Sequence, residues 1–302
     1  MISIKRAGAS KRTSLGDRIT NGIFYALLCV FVILCFYPIW YVLVASVSDP
    51  TYVNSGALIT LPRGLHFAAY KYAFEQRQLW VGYGNTLFYT AFGTIFGLCA
   101  CIPCGYALSR RDLPFRGLMM GLFTFTMYFS GGLIPTYIVC STLNLVNTRA
   151  LLVILGSVSV YNIILIRTFC QNSIPEDLRE AASIDGCSNT RFFFSIALPL
   201  SKAIIAVIAL YIAVHHWNSY YNALVYTTDT RLQPLQLYLR QLLLINTGSE
   251  DVADPDSLKE MQQMISSIRY AVIVMSSLPI MCLYPFLQKY FVQGIMIGSL
   301  KS

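Results

Sequence analysis

The sequence predicts an all-α polytopic membrane protein with six transmembrane helices. Three observations carry that reading. Of the 302 residues, 56% belong to the hydrophobic set and only 12% are charged, far from the roughly one-quarter charged residues of soluble domains. Six apolar stretches each come close to the ~20 residues needed to cross a bilayer core, where no water is present to satisfy the backbone. Arginine and lysine collect in alternate connections, as membrane topology requires.

The stretches run over residues 23–47, 81–108, 118–140, 151–168, 196–217 and 271–292. An even count puts both termini on one side. Lys5, Arg6, Lys11, Arg12 and Arg18 precede the first span, and Arg110, Arg111 and Arg116 follow the second. With Arg167, Arg179, Arg191, Lys202, Lys289 and Lys301 they are most of the 22 basic residues, and they fall on the side of the termini. That side is the cytoplasm by the positive-inside rule. The first span is too long, and lacks the small-residue cleavage pattern, to be a removable signal peptide, so it reads as a permanent helix.

The net charge of +8 would suit nucleic acid if it were collected on one face, but it is spread over loop ends, which excludes that class of partner. The nine cysteines include a local cluster of Cys99, Cys101 and Cys104. It lies inside an apolar span, where reduced cysteine behaves as a small hydrophobe, so no metal site is expected. His215 and His216, beside Trp217, lack a neighbouring acid or thiol and read as outer-interface residues. Residues 48–80 form an outside segment flanked by Trp40 and Trp80, and the acidic run Glu250, Asp251, Asp254 and Asp256 lies in a long outside loop. Ser130-Gly-Gly-Leu-Ile-Pro-Thr-Tyr137 interrupts the third span, and a kink or break is expected there. It serves either a bent, pathway-lining helix or simple fit to neighbours.

The connection after the fourth span reads Ser173-Ile-Pro-Glu-Asp-Leu-Arg-Glu-Ala-Ala-Ser-Ile-Asp-Gly186. Ser173 and Glu176 match a capping box and Pro175 suits a first turn. Gly186 supplies a left-handed stop, after which Ser188 or Asn189 caps a second helix through Phe192, Phe193 and Phe194 toward Pro199. Leu178, Ala181, Ala182 and Asp185 share one shallow face by three-and-four spacing. A partner can approach such a face closely; an amphipathic helix resting on lipid is the alternative.

Glu180-Ala181-Ala182, three residues, Gly186, nine residues and then Ile196-x-Leu198-Pro199 resembles the EAA motif of ATP-binding-cassette importer permeases in residue types and spacing. Asn85-Thr-Leu87, Tyr106-Ala-Leu-Ser-Arg110, Gly131-Gly-Leu-Ile-Pro135, Trp217-Asn218 and residues 288–298 are similar to the maltose-type carbohydrate branch serving complex oligosaccharides. The resemblance implies the type I importer permease fold with a cytoplasmic coupling helix. It implies a tail over residues 1–22, a first helix and outer segment over 23–80, a five-helix permease core over 81–295 containing the coupling loop 169–195, and a tail over 296–302. It also implies the plasma (inner) membrane of a bacterium, with both termini cytoplasmic.

By the same resemblance, Leu178, Arg179, Glu180, Ala181, Ala182, Ile184, Asp185 and Gly186 meet an ATPase subunit. The implied partners are a second homologous permease, an ABC ATPase dimer and an extracytoplasmic solute-binding protein delivering an oligosaccharide, for which uronate chains are a candidate. The loop from Tyr220 to Tyr270 is expected to meet that binding protein. No G-x-x-x-x-G-K-[ST] loop occurs in the sequence, so no cofactor is expected on this chain and ATP with Mg belongs to the ATPase subunits.

A sugar path wants hydroxyl, amide and aromatic groups. Asn85, Tyr89, Tyr128, Tyr137, Tyr161, Asn162 and Asn218 are the candidates, with helix–helix hydrogen bonds or interfacial anchoring as the alternative for each. The rival cargoes are peptides or amino acids. An intramembrane enzyme would need a buried Ser–His pair or H-E-x-x-H, and no such motif stands in the sequence.

Overall fold

The computed structural model describes residues 15–56, 60–244 and 267–282. The acidic run at 250–256, the rest of the last span and the 288–298 signature lie outside the described residues. Among the described residues there is no strand. The helices are α1 (Leu15–Ser46), α2 (Pro50–Asn54), α3 (Ala68–Glu75), α4 (Arg77–Ser109), α5 (Arg116–Tyr128), α6 (Leu133–Thr142), α7 (Arg149–Ile154) and α8 (Val160–Ser173). They continue with α9 (Glu176–Ile184), α10 (Asn189–Phe192), α11 (Leu198–Leu200), α12 (Lys202–Asn218), α13 (Tyr221–Tyr226), α14 (Leu235–Leu244) and α15 (Ser267–Cys282).

At the centre lies α4, packed by α7, α8, α12 and α14. Small residues let these helices come together, as in membrane bundles where backbone proximity replaces the hydrophobic drive. A Cβ on Gly97 would lie 2.4 Å from the Ser157 carbonyl oxygen, and one on Gly105 would lie 2.7 Å from Ile166. Below that stripe Cys101, Ile102, Leu108, Ile163, Ile166, Cys170, Ile208 and Ile212 form the densest core, at the junction of α4, α8 and α12. Cys101 is buried, Cys104 half-buried and Cys99 exposed, so the three thiols diverge around α4 as hydrophobic fillers.

Helix α1 begins at Leu15, ahead of the predicted tail boundary at residue 22, because polar residues can extend a helix beyond the apolar part. Phe24, Phe31 and Leu34 point outward, as lipid or partner helices demand. Its far end packs through Tyr41, Val44 and Ala45 on Val53 and Tyr270.

Three of the predicted spans are not straight helices. The third breaks as expected: α5 and α6 meet at 110°, across Gly132 with φ +84°, with Pro135 in the first turn of α6. The fourth, predicted as one helix over 151–168, is α7 followed by α8. Its interruption holds Gly156 with φ +86° and the fully buried Ser157, placed where the Gly93–Gly97 surface of α4 leaves room for backbone. The fifth begins at Lys202 rather than 196, because a 79° bend separates the run Asn189–Leu200 from α12.

Connections gather at the two ends of the bundle. One end is rich in loops: Asp49 caps α2 by accepting from the Thr51 amide, Trp40 Nε1 donates to the Thr60 carbonyl at 2.8 Å, and Trp80 Nε1 donates to the Phe74 carbonyl at 2.9 Å. The other end is rich in arginine and carries α9 to α11.

Candidate functional site

The site is built from the chain leaving α8. Ser173 is the last residue of α8, so its backbone is helical and it cannot act as the N-cap of the next helix, which requires extended geometry. The predicted capping box is therefore not formed, and the Ser173 hydroxyl is buried without a hydrogen-bond partner. Pro175, at φ −61° and ψ 140°, takes the cap position, and Glu176 and Asp177 supply acid to the first turn of α9, which suits the positive end of the helix dipole.

The other end of α9 closes as the sequence predicts. Gly186 has φ +74°, its amide donates to the Ser183 carbonyl at 3.0 Å, and the Cys187 amide donates to the Ala182 carbonyl at 2.9 Å. That pair of bonds is a Schellman motif. Ser188 then caps α10, its Oγ accepting from the Arg191 amide at 3.3 Å. The aromatic run does not rest on lipid as a unit. Phe192 is buried, Phe193 lies 5.0 Å from the Tyr106 ring, and Phe194 alone of the three is exposed. A π-helical turn over Phe193–Ala197 joins α10 to α11, so the second limb is anchored on α4.

The first limb is not anchored by packing. No residue of α9 is buried; Leu178, Glu180, Ala181 and Asp185 are exposed, Arg179 and Ala182 half-buried, and Ile184 is 87% exposed. An apolar side chain so far out of contact, on a helix with a small-residue face, leaves that face open to close approach.

A charge network holds α9 at the arginine end. Arg110 donates from Nε to Asp112 Oδ1 at 2.9 Å and from Nη2 to Oδ2 at 2.5 Å, the two-pronged arrangement that suits guanidinium and carboxylate. The same Asp112 Oδ2 is 3.6 Å from Arg179 Nη1, while Arg179 Nε donates to Glu176 Oε1 at 2.7 Å. The Arg110 hydrogen bonds hold the Asp112 carboxyl down to about 2. Between α9 and the ends of α4 and α8 lies a cavity of about 370 Å³, whose lining includes Arg110, Arg111, Arg116, Gln171, Glu176 and Arg179. The α4 end itself is capped by α8, Arg167 Nε donating to the Leu108 carbonyl at 3.2 Å.

The predicted pathway residues divide into two groups. Asn85 and Tyr89 are buried. Asn85 Nδ2 donates to the Arg231 carbonyl at 2.7 Å and the Gln233 carbonyl at 3.0 Å, and Tyr89 Oη to the Leu232 carbonyl at 2.8 Å. They clamp the 231–233 loop to α4. Asn162 is buried too. Tyr128, Tyr137 and Tyr161 are exposed; Tyr137 stacks on Tyr226 at 5.7 Å. Asn218 is exposed and donates to the Val214 carbonyl at 3.0 Å.

The predicted interface position of the histidine pair needs correction for one member. His215 is exposed, but His216 is buried at the α4–α12 contact, its Nε2 2.9 Å from Ser157 Oγ. Gly93 makes the room, since a Cβ there would collide with the ring. Ser157 donates its own proton to the Val153 carbonyl, so His216 is the donor in the pair. A serine that is fully buried and already donating is not a nucleophile awaiting a base. Among the described residues no three His, Cys, Asp or Glu side chains gather as a metal site.

Sequence reasoning missed Asp112 and Asn189 as partners of Arg110, and Ser157 as the partner of His216. Arg110 was visible as a topology signal and as the end of the Tyr106–Arg110 resemblance, not as a bonding centre, and its contact to Asn189, like that of Ser157 to His216, joins distant parts of the chain.

The whole chain is similar to known transport proteins. It is 36% identical over 287 residues to the polygalacturonan/rhamnogalacturonan transport system permease protein YtcP of Bacillus subtilis, covering 95% of this chain and 99% of that protein. It is 37% identical over 265 residues to protein LplC of the same organism, covering 88% and 89%. A crystal structure of a bacterial ABC transporter involved in the import of the acidic polysaccharide alginate contains a chain that superposes with a TM-score of 0.83 at 32% identity, over 92% of this chain and 98% of that one. Residues 6–297 match the family described as binding-protein-dependent transport system inner membrane component. With an all-α bundle of that architecture and a capped, solvent-facing loop at its arginine end, the chain belongs to this family of inner-membrane ABC importer permeases.

Proposed function

We propose that this permease forms half of the membrane pathway of an importer for acidic oligosaccharides, and that α9 is its docking helix for an ATPase subunit. The observation that carries the docking role is the state of α9: closed by a Schellman turn at its C-terminal end, without a fully buried residue, and presenting Ala181, Ala182 and the 87% exposed Ile184. The uronate-rich polymers named for the similar permease and transporter support the cargo.

In this reading the arginine end faces the cytoplasm and both termini lie there. Leu178, Ala181, Ala182 and Ile184 enter a cleft of the ATPase, with Glu180 and Asp185 making polar contacts at its rim. ATP and Mg are held by the ATPase dimer. Its closure pushes α9, and this chain and a second, homologous permease rock between inward-open and outward-open states around the sugar. An extracytoplasmic binding protein delivers the sugar at the loop-rich end. Tyr128, Tyr137, Tyr161 and Asn218 are exposed and suit sugar contact, whereas Asn85 and Tyr89 act by holding the wall behind it.

The docking role is tested by reconstituting the transporter with Glu180→Ala or Gly186→Val and measuring binding-protein-stimulated ATP hydrolysis and uptake. Both should fall; wild-type values in both variants would sink the assignment. Cargo is tested by titrating the cognate binding protein with oligogalacturonates and with amino acids. Tight amino-acid binding without oligosaccharide binding would overturn the sugar reading.

A further inference from the structure

We propose that Asp112 is a positioning residue for energy coupling: by holding Arg110 and Arg179 together it ties the docking helix α9 to the end of α4, so that displacing α9 moves α4. The proposal rests on the reading of α9 as the ATPase-docking helix.

Helix α9 buries no residue fully, so packing alone grips it only lightly. Among the described residues, its side chains reach the bundle through one ion pair, Arg179 to Asp112 at 3.6 Å. Asp112 stands in the turn between α4 and α5, and its bond partner Arg110 also donates to Asn189 Oδ1 in α10 at 2.9 Å. One six-residue turn, through Arg110 and Asp112, therefore touches both limbs of the docking loop. Loss of the Asp112 charge would leave Arg179 paired with Glu176 inside α9 at 2.5 Å, so the helix keeps its fold and loses its tie. That separates a positioning role from a folding role.

The geometry gives the tie a destination. Helix α4 runs unbroken from Arg77 to Ser109, about 50 Å at 1.5 Å per residue. Its far end holds the Arg231, Leu232 and Gln233 carbonyls through Asn85 and Tyr89. A rod gripped at one end by the docking loop and in its other half by an outer loop carries a push across the membrane without relying on the chain connections of α9 alone.

The test is the number of sugars taken up per ATP hydrolysed by the complete transporter in proteoliposomes. Asp112→Asn is expected to lower that ratio about fivefold, and Asp112→Glu to restore most of it. A wild-type ratio in Asp112→Asn overturns the proposal. If that variant does not assemble, Arg179→Gln takes its place, since it removes the charge that faces Asp112 Oδ2; again a lowered ratio supports the tie and a wild-type ratio overturns it. The Glu180 and Gly186 variants run alongside. If they uncouple the transporter and the Asp112 and Arg179 variants do not, only the tie is wrong; if none has an effect, the docking role of α9 itself fails.

Discussion

Arg110 Nη1 donates to Asn189 Oδ1 at 2.9 Å across 79 residues of chain, joining the end of the central helix to the start of α10. Its other prongs hold Asp112. Because this cluster lies at the arginine end, outside the apolar spans, its protonation is governed by the aqueous side.

The ion pairs around Asp112 are therefore expected to be indifferent to physiological pH. A carboxyl lowered to about 2 from an ordinary 3.8 contributes stabilisation that is fully present above the ordinary value and is lost only as pH falls through the lowered one. Sugar uptake per ATP, measured from pH 5.5 to 8, should show no titration from this cluster. A step near pH 6 abolished by Asp112→Asn would contradict the assignment.

Gly186→Ala should destabilise the end of α9 by about 1 kcal/mol, the cost of a Cβ in the left-handed region. No heavy atom lies within 4 Å of the added carbon, so the effect is purely conformational. Faster amide exchange at residues 182–187, with α4 and α12 unchanged, is the expected readout.

Gly97→Ala should destabilise the bundle by about 1–3 kcal/mol through overpacking, because the added Cβ would meet the Ser157 carbonyl at 2.4 Å. Gly84→Ala on the same helix, where nothing lies within 4 Å, is expected to be neutral or slightly stabilising. Thermal unfolding of the purified complex in one detergent compares the two.

Ser157→Ala should cost about 1–3 kcal/mol, because the His216 N–H would be left without an acceptor in a buried site. Transport per folded complex should persist, since the pair fastens α12 to the break between α7 and α8. Loss of transport without loss of thermal stability would contradict that fastening role.

Legibility in the sequence followed the range of the interactions. The helix–turn–helix shape of the 173–199 connection was readable because Gly186 and Ser188 act within a few residues of themselves. Helix α4 was readable because its apolar run is long. The break after α7 was not: residues 151–168 are apolar enough to look continuous, and Gly156 and Ser157 interrupt them only because Gly97 and His216 lie alongside. Ser173 was misread because a capping residue must lie outside a helix, and α8 extends farther than the hydropathy of the span suggests. The Asp112 tie joins residues that no local pattern connects.

The bend at Ser201 has a mechanical meaning. The limb Asn189–Leu200 is about 18 Å long at 1.5 Å per residue and meets α12 at 79°, with Phe192 buried near its tip. Under the docking role proposed above, such an arrangement would work as a bell crank, turning a shove along the membrane surface, passed on with its α4 contact, into a tilt of the helix that crosses it. A tip displacement of about 3 Å over that arm corresponds to a rotation of roughly ten degrees, enough to carry the far end of α12, where His216 and Trp217 are held, by a distance comparable to its own radius.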